Sequence, residues 1–261
     1  MDDLPLSRTA SPRIEVVEST GSTNADLVAL VATHPGAWPH LSVLVTDDQR
    51  AGRGRLDRTW VSPAGTALAV SVVLDVTGIP LAARGWVSLI AGAAMTRAVA
   101  GALEGTTHTA GLKWPNDVLV DGAKICGILA EGVPGHPGLV VVGAGINTRI
   151  PTDHLPVRTA TSFAALGVDV DEDVLLHAYL RALAEQVSAL VAANGDVAAS
   201  GVRGEVEALC VTLQRDVRAL LPDGSEVLGA ARRLTSDGAL VIEPLVGTES
   251  VVAAGDIVHL R

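Results

Sequence analysis

The chain has 261 residues, 48% of them apolar and only 2% aromatic, with a formal net charge of −10. That length accommodates one large domain and a small one, with a core of Ala, Val and Leu. The acidic balance argues against a dedicated nucleic-acid surface, which needs clustered lysines and arginines to displace counterions.

Residues 1–12 are polar, carry two prolines and are expected to be loose. Arg13–Glu18 reads as a short strand, and Thr20–Thr23 opens a helix with Leu27, Leu30 and Val31 on one face, stopped near Pro35-Gly36. Thr23 is placed to cap that helix, with Asp26 closing a capping box. Ser42–Thr46 is a strand delivering the loop Gln49–Arg55. Thr66–Val76 is a second strand, and Ala82–Leu103 a buried Ala-rich helix containing Trp86. The apolar run near Leu68–Val76 is too short to cross a bilayer.

Three further strands follow: Gly111–Val120 (interrupted at Pro115), Lys124–Glu131 and Leu139–Ile146. Asp121-Gly122 is a hairpin signal between the first two, and Pro134–Gly138 is a turn before the third. Asp171–Asn194 carries the clearest helical stripe, Leu176, Leu180, Leu183, Val187 and Leu190, with Gly195 as terminator. From about Val211, five short strand-like runs separated by tight turns indicate a small barrel. The mixed pattern before it indicates an α+β domain. The expected division is a flexible N-terminus (1–12), a catalytic domain (13–210) and a small C-terminal domain (211–261). Cys126 and Cys210 have no metal-ligand spacing and form no disulfide framework, and no secretory signal is read at the N-terminus; a reducing cytoplasm fits.

Four blocks carry chemistry. Gln49-Arg50-Ala51-Gly52-Arg53-Gly54-Arg55 holds guanidinium groups, suited to carboxylate and phosphate, in a loop that glycine keeps open. Four arginines between Arg50 and Arg58 repel one another without a counter-anion, which weighs against a merely solvated loop. Ser22-Thr23-Asn24 lies at a helix start, where free N–H groups serve either a cap or a ligand. In Lys113-Trp114-Pro115-Asn116-Asp117 the proline blocks regular strand pairing. A strand-end turn capped by Asn116 or Asp117 and a phosphate and Mg²⁺ site remain alternative readings. Lys124 enters an otherwise apolar run, either snorkelling to solvent or meeting an anion. Gly143-Ala144-Gly145-Ile146-Asn147 fails as a dinucleotide fingerprint, lacking the third glycine.

Together these blocks resemble the biotin protein ligase family, which joins biotin to a carrier-protein lysine through an adenylate. The resemblance implies a mixed-sheet catalytic domain related to class II aminoacyl-tRNA synthetases, flanked by helices and followed by an SH3-like β-barrel. It implies biotin contacts from Ser22, Thr23, Asn24, Gln49, Arg53, Gly54, Arg55 and Lys124. ATP contacts are implied for Arg55, Trp60, Lys113, Asn116, Asp117 and Asn147, with Mg²⁺ at Asp117. Arg53, Arg55, Lys113 and Lys124 are the implied catalytic cations. The family pattern usually has glycine where Asp57 stands, while the following Trp60 is present. The implied acceptor is a biotin carboxyl carrier protein domain of an acyl-CoA carboxylase or pyruvate carboxylase. Some family members carry an N-terminal helix-turn-helix; with only about a dozen residues before the first strand, that module and any DNA partner are expected to be absent, as is a membrane partner. Monomers and ligand-induced homodimers both occur in the family, so oligomeric state stays open.

Overall fold

The structure, a computed structural model, describes residues 3–55 and 58–260. The Asp57 departure therefore lies outside the described residues. The larger of its sheets has seven strands: β1 (Ile14–Val16), β2 (Val43–Thr46), β5 (Ala67–Asp75), β6 (Ala110–Lys113), β7 (Asp117–Val120), β8 (Ala123–Val133) and β9 (His136–Asn147). Their order is β1-β2-β5-β9-β8-β7-β6, and only β1–β2 is parallel, so the sheet is mixed. The intervening β3 (Gly52–Arg53) and β4 (Thr59–Trp60) form a separate two-stranded ladder.

The sheet is covered on both faces because its strands are apolar on both. Val43, Val45, Val72 and Val142 pack with α2 (Trp86–Ala102) and α3 (Glu172–Ala192), while Leu44, Val73 and Val141 pack with Leu27 and Val31 of α1 (Thr23–Thr33). The Ala-rich segment expected to start a helix at Ala82 first makes a 3₁₀ turn over Leu81–Ala83. α3 is long and apolar enough by composition to cross a membrane, but half of its apolar window is buried inside the protein. Asp171 caps it, accepting from the N–H groups of Asp173 (2.9 Å) and Val174 (3.2 Å).

Pro115 interrupts a strand, as its missing N–H requires: it sits at the tip of a hairpin in which Lys113 pairs with Asp117. Asp121 and Gly122, at φ 50° and 82°, form the β7–β8 turn, the conformation that favours this dipeptide in two-residue hairpins.

After α4 (Val202–Leu209) come β10 (Asp216–Leu220), β11 (Glu226–Leu234), β12 (Leu240–Glu243), β13 (Ser250–Val252) and β14 (Asp256–His259). They form a five-stranded antiparallel sheet ordered β13-β12-β11-β10-β14, and among the described residues no ladder joins the two outer strands into a closed barrel. The expected boundary near residue 211 does not divide the core. Val217, Ala231, Leu240 and Ile257 belong to the same apolar cluster as Trp86 and Trp114. Both indoles donate across the junction, Trp86 Nε1 to Ser236 O and Trp114 Nε1 to Gly238 O, each at 3.0 Å.

Residues 3–12, expected to be loose, are instead held against α3. Leu4 and Ser7 are buried, and the Asp173 carboxylate accepts from the N–H groups of Leu6 and Ser7, both at 2.8 Å. A polar terminal sequence gives no sign of an acceptor far along the chain, so composition alone misled. Asp173→Ala removes both hydrogen bonds, one exposed and one part-buried, and is expected to cost about 1–2 kcal/mol. Thermal unfolding and faster proteolysis ahead of Arg13 check it.

Candidate functional site

The strand period of two explains why the failed Gly-x-Gly matters. Gly143 and Gly145 of β9 point to the α1 face, and the sheet register extends them into rows. One row is Gly127–Gly145–Ala69 and the next Leu129–Gly143–Ser71. Bare backbone leaves a hollow there, a cavity of about 160 Å³. The floor tolerates no more atoms. A Cβ on Gly143 would lie 2.4 Å from Asn24 Oδ1, and one on Gly145 2.7 Å from the Trp60 indole.

The N-terminus of α1 forms one wall. Ser22, not Thr23, is the cap, its Oγ accepting from Ala25 N–H at 3.4 Å, and Asp26 turns back to the Thr20 hydroxyl instead of closing a box. Thr23 is occupied elsewhere: its N–H and its hydroxyl reach Gln49 Oε1 at 2.8 and 3.1 Å. With that oxygen engaged, the Gln49 amide nitrogen faces Gly52, whose missing Cβ leaves it room. Asn24 donates to Leu129 O (3.1 Å) and Glu131 Oε2 (2.9 Å) and accepts from Ser71 Oγ (2.7 Å). Both of its donor hydrogens are therefore spent within the protein.

The arginine segment is a hairpin rather than an open loop. Gly52 pairs with Trp60 and Arg53 with Thr59, and Gly54 N–H donates to Arg58 O at 2.6 Å. Internal counter-ions answer the repulsion expected from the sequence. Arg50 pairs with Asp48 (2.7 Å), Arg53 with Glu131 (3.0 Å) and Arg58 with Asp256 on β14. Arg55 bonds the neutral Asn116 Oδ1 at 3.1 Å. Burial draws the Arg55 pKa down, against the pull of Asp256 and Asp117, and Arg58 lowers it further. Asn116 is itself fixed, donating to Ile128 O at 2.6 Å.

Lys124 Nζ meets Asp117 Oδ1 at 2.5 Å, folding back over Gly127, where a Cβ would stand 2.9 Å from the ammonium. Ser22, Thr23, Asn24, Gln49, Arg53, Gly54, Arg55, Trp60, Asn116, Asp117 and Lys124 all line the cavity. Lys113 and Asn147 do not. Lys113 is half-buried behind it, its pKa lowered first by burial and supported by Asp117, with Lys124 opposing. Asn147 is buried and donates to Thr161 O at 2.9 Å. Sequence reasoning missed Ser71, Glu131 and Asp256, which are 47, 78 and 198 residues from the partners they engage. Only the glycine spacing on β9 hinted at the floor.

Among the described residues no three of His, Cys, Asp and Glu cluster as a metal site. Asp117 has one oxygen engaged by Lys124, so the donor set fits a magnesium ion that arrives with a polyphosphate supplying most of its ligands.

A hollow with a polar, uncharged wall at one end and a cluster of partnered cations at the other defines a class: an α+β enzyme site for a small molecule bearing an anionic tail. The comparisons with known proteins are consistent with that class. Residues 16–147 match the model of the Biotin/lipoate A/B protein ligase family, and the chain belongs to that family. It is 40% identical over 251 residues to the biotin–[acetyl-CoA-carboxylase] ligase of Mycobacterium tuberculosis, covering 95% of this chain and 90% of that one. It is 30% identical to the bifunctional ligase/repressor BirA of Escherichia coli, over 76% of this chain and 60% of that protein. Among solved structures, the biotin protein ligase from Aquifex aeolicus in complex with biotin and ATP superposes with a TM-score of 0.73 at 25% identity, covering 95% of this chain and 99% of that one.

His259 at the end of β14 gives the site's surroundings a pH dependence. Burial first, then Lys113 and Arg215, lower its pKa from 6.5 to about 4, and its Nε2 lies 3.2 Å from Thr212 Oγ1. Thr212 Oγ1 in turn accepts from Trp114 N–H at 3.0 Å. The unfolded chain takes up this proton first on acidification, so stability is complete above pH 6.5 and declines as pH falls towards about 4. Denaturant unfolding of the wild type and His259→Gln across that window checks it; the variant is expected to lose this part of the slope.

Proposed function

We propose that the chain is an ATP-dependent biotin protein ligase, converting biotin to biotinyl-5′-AMP and transferring it to a lysine of a biotin carrier domain. The observation that carries this reading is the meeting of Lys124, Asp117, Arg55 and Asn116 at the rim of the same glycine-floored cavity that Ser22, Thr23 and Gln49 wall. The membership of the chain in its family and the names of its relatives support it.

In this reading the polar wall receives the neutral ureido ring of biotin, with the Gln49 amide nitrogen as a donor. Asn24 holds the wall in place instead of touching the ligand. The carboxylate of biotin then lies toward Lys124 and Arg55. One of its oxygens attacks the α-phosphorus of ATP, the bond to the β-phosphate bridging oxygen breaks, and pyrophosphate leaves. Two anions approach each other in this step, so electrostatic preorganisation supplies much of the catalysis. Lys124 and Arg55 release Asp117 and Asn116 to serve the new acyl phosphate. Asp117, freed, is the carboxylate that would hold Mg²⁺, which supplies charge neutralisation to the phosphates. Trp60 and Asn116 flank the nucleotide, and Lys113 contributes charge from behind. Attack by the neutral carrier amine on the acyl carbon then expels AMP. The carrier would belong to an acyl-CoA carboxylase or pyruvate carboxylase. We also read the five-stranded sheet as an SH3-like module, the larger domain as class II synthetase-like, and the buried, unpaired Cys126 and Cys210 as fitting a cytoplasmic protein.

Mass spectrometry of a carrier domain incubated with the chain, biotin, ATP and Mg²⁺ is expected to show one added biotinyl group. Exchange of pyrophosphate into ATP should depend on biotin and not on lipoate; the reverse preference overturns the reading. A charge-assisted hydrogen bond contributes about 1.5–3 kcal/mol, so Lys124→Ala should slow exchange about 10- to 150-fold with little change in melting temperature. Arg55 also covers the adenylate from its hairpin, so Arg55→Gly is expected to form the adenylate more slowly and to release it into solution, detected as biotinylation of unrelated lysines. Equal loss of both steps would show that Arg55 acts in the chemistry alone.

A further inference from the structure

The hairpin that carries the arginines is a thin partition. Arg53, Gly54 and Thr59 line the cavity on one side and a larger, more open groove of about 660 Å³ on the other. Its strands β3 and β4 pair only with each other and add nothing to the seven-stranded sheet. At its base the main chain is anchored, with Ala51 N–H donating to Gly21 O at 2.7 Å. Beyond that point, among the described residues, side chains hold it. The Trp60 indole lies over Gly145, Arg55 rests on Asn116, Arg58 on Asp256 and Arg53 on Glu131.

Glu131 stands where an acidic side chain is not expected. Its row across the sheet continues through Val141 to Val73, and both valines are buried against α1. A carboxylate entering such an apolar face has to be paired. Its Oε2 accepts from Arg53 Nη2 at 3.0 Å and from Asn24 Nδ2 at 2.9 Å. Asn24 is fixed in turn by Leu129 O and Ser71 Oγ. One oxygen atom therefore pins the partition to the wall. Gly127, over which Lys124 lies, and Glu131 share one face of β8, about 13 Å apart at the rise of a strand. The Arg53 guanidinium is accordingly held toward the end of the recess away from Lys124.

We propose that Glu131 is a positioning residue for the biotin end of the site, fastening the arginine hairpin to the α1 wall through Arg53 and Asn24. The proposal rests on the ligase reading above. Calorimetric titration with biotin, beside biotin-dependent pyrophosphate exchange, tests it. Glu131→Ala should raise Kd for biotin about ten- to a hundredfold, as loss of a charge-assisted hydrogen bond does. At saturating biotin, kcat for exchange and KM for ATP should stay within about threefold of wild type. The tie depends on reach, so Glu131→Asp, one methylene shorter, should behave like the alanine variant. Glu131→Gln, which keeps an oxygen in the same place, should bind biotin within about fivefold of wild type. Arg53→Ala should cost clearly less on the Glu131→Ala background than on the wild type, because the tie it serves is gone. Amide hydrogen exchange at Gly54 should quicken in Glu131→Ala while α3 keeps its protection. An unchanged Kd for biotin in the alanine and aspartate variants overturns the proposal, as does full additivity of the Glu131 and Arg53 losses. Should the alanine variant fail to fold, the contrast between aspartate and glutamine carries the test. Absence of biotin-dependent exchange in the wild type would refute the ligase reading itself, a result distinct from either of these.

Discussion

A cavity meant for two anions has to be cationic when filled, yet a cluster of bare cations would push itself apart when empty. The chain resolves this by giving its rim cations partners that can be given up. Lys124 rests on Asp117, Arg53 on Glu131 and Arg58 on Asp256, while Arg55 leans on an uncharged amide. Ion pairs at such partly exposed sites are each worth about 0–1 kcal/mol. Ligand anions can therefore replace the partners at small cost. Arg55, with burial against it and no carboxylate directly on it, has most to gain from an incoming phosphate.

The C-terminal sheet is part of this arrangement. It places Asp256 at the cavity rim, and it takes the indole N–H groups of Trp86 and Trp114 on its Ser236–Gly238 turn. Gly85 shows how close that turn sits: a Cβ there would lie 2.2 Å from Asp237 O. The hairpin bearing Lys113, Asn116 and Asp117 is thus held from behind by a part of the chain more than a hundred residues away.

What the sequence made legible was local. Asp121-Gly122 announced its hairpin, the Leu176–Leu190 stripe its helix, and Pro115 the break in a strand, because each is a constraint carried by neighbouring residues. The cluster around the cavity was legible only through motif resemblance, which implied residues and ligand roles but not the contacts that hold those residues in place. Thr23 looked like a cap and became a partner of Gln49; Asn24, which lines the cavity, also braces α1, β5 and β8. Glu131 and Asp256 were invisible, since a lone acidic residue in a strand carries no sign of the arginine it will meet. The docked N-terminal segment was missed for the same reason.

The floor of the cavity is made of main chain, with Gly127, Gly143 and Gly145 set in adjoining strands. A single methyl group at each would strike a different neighbour: the ammonium of Lys124, the amide of Asn24 or the ring of Trp60. A side chain added from below therefore crowds the recess at Gly143 and Gly145, while at Gly127 the flexible Lys124 chain can move aside. The shape of the hollow is thus set by bare main chain, and its walls and the arginine hairpin are where side chains can vary the fit.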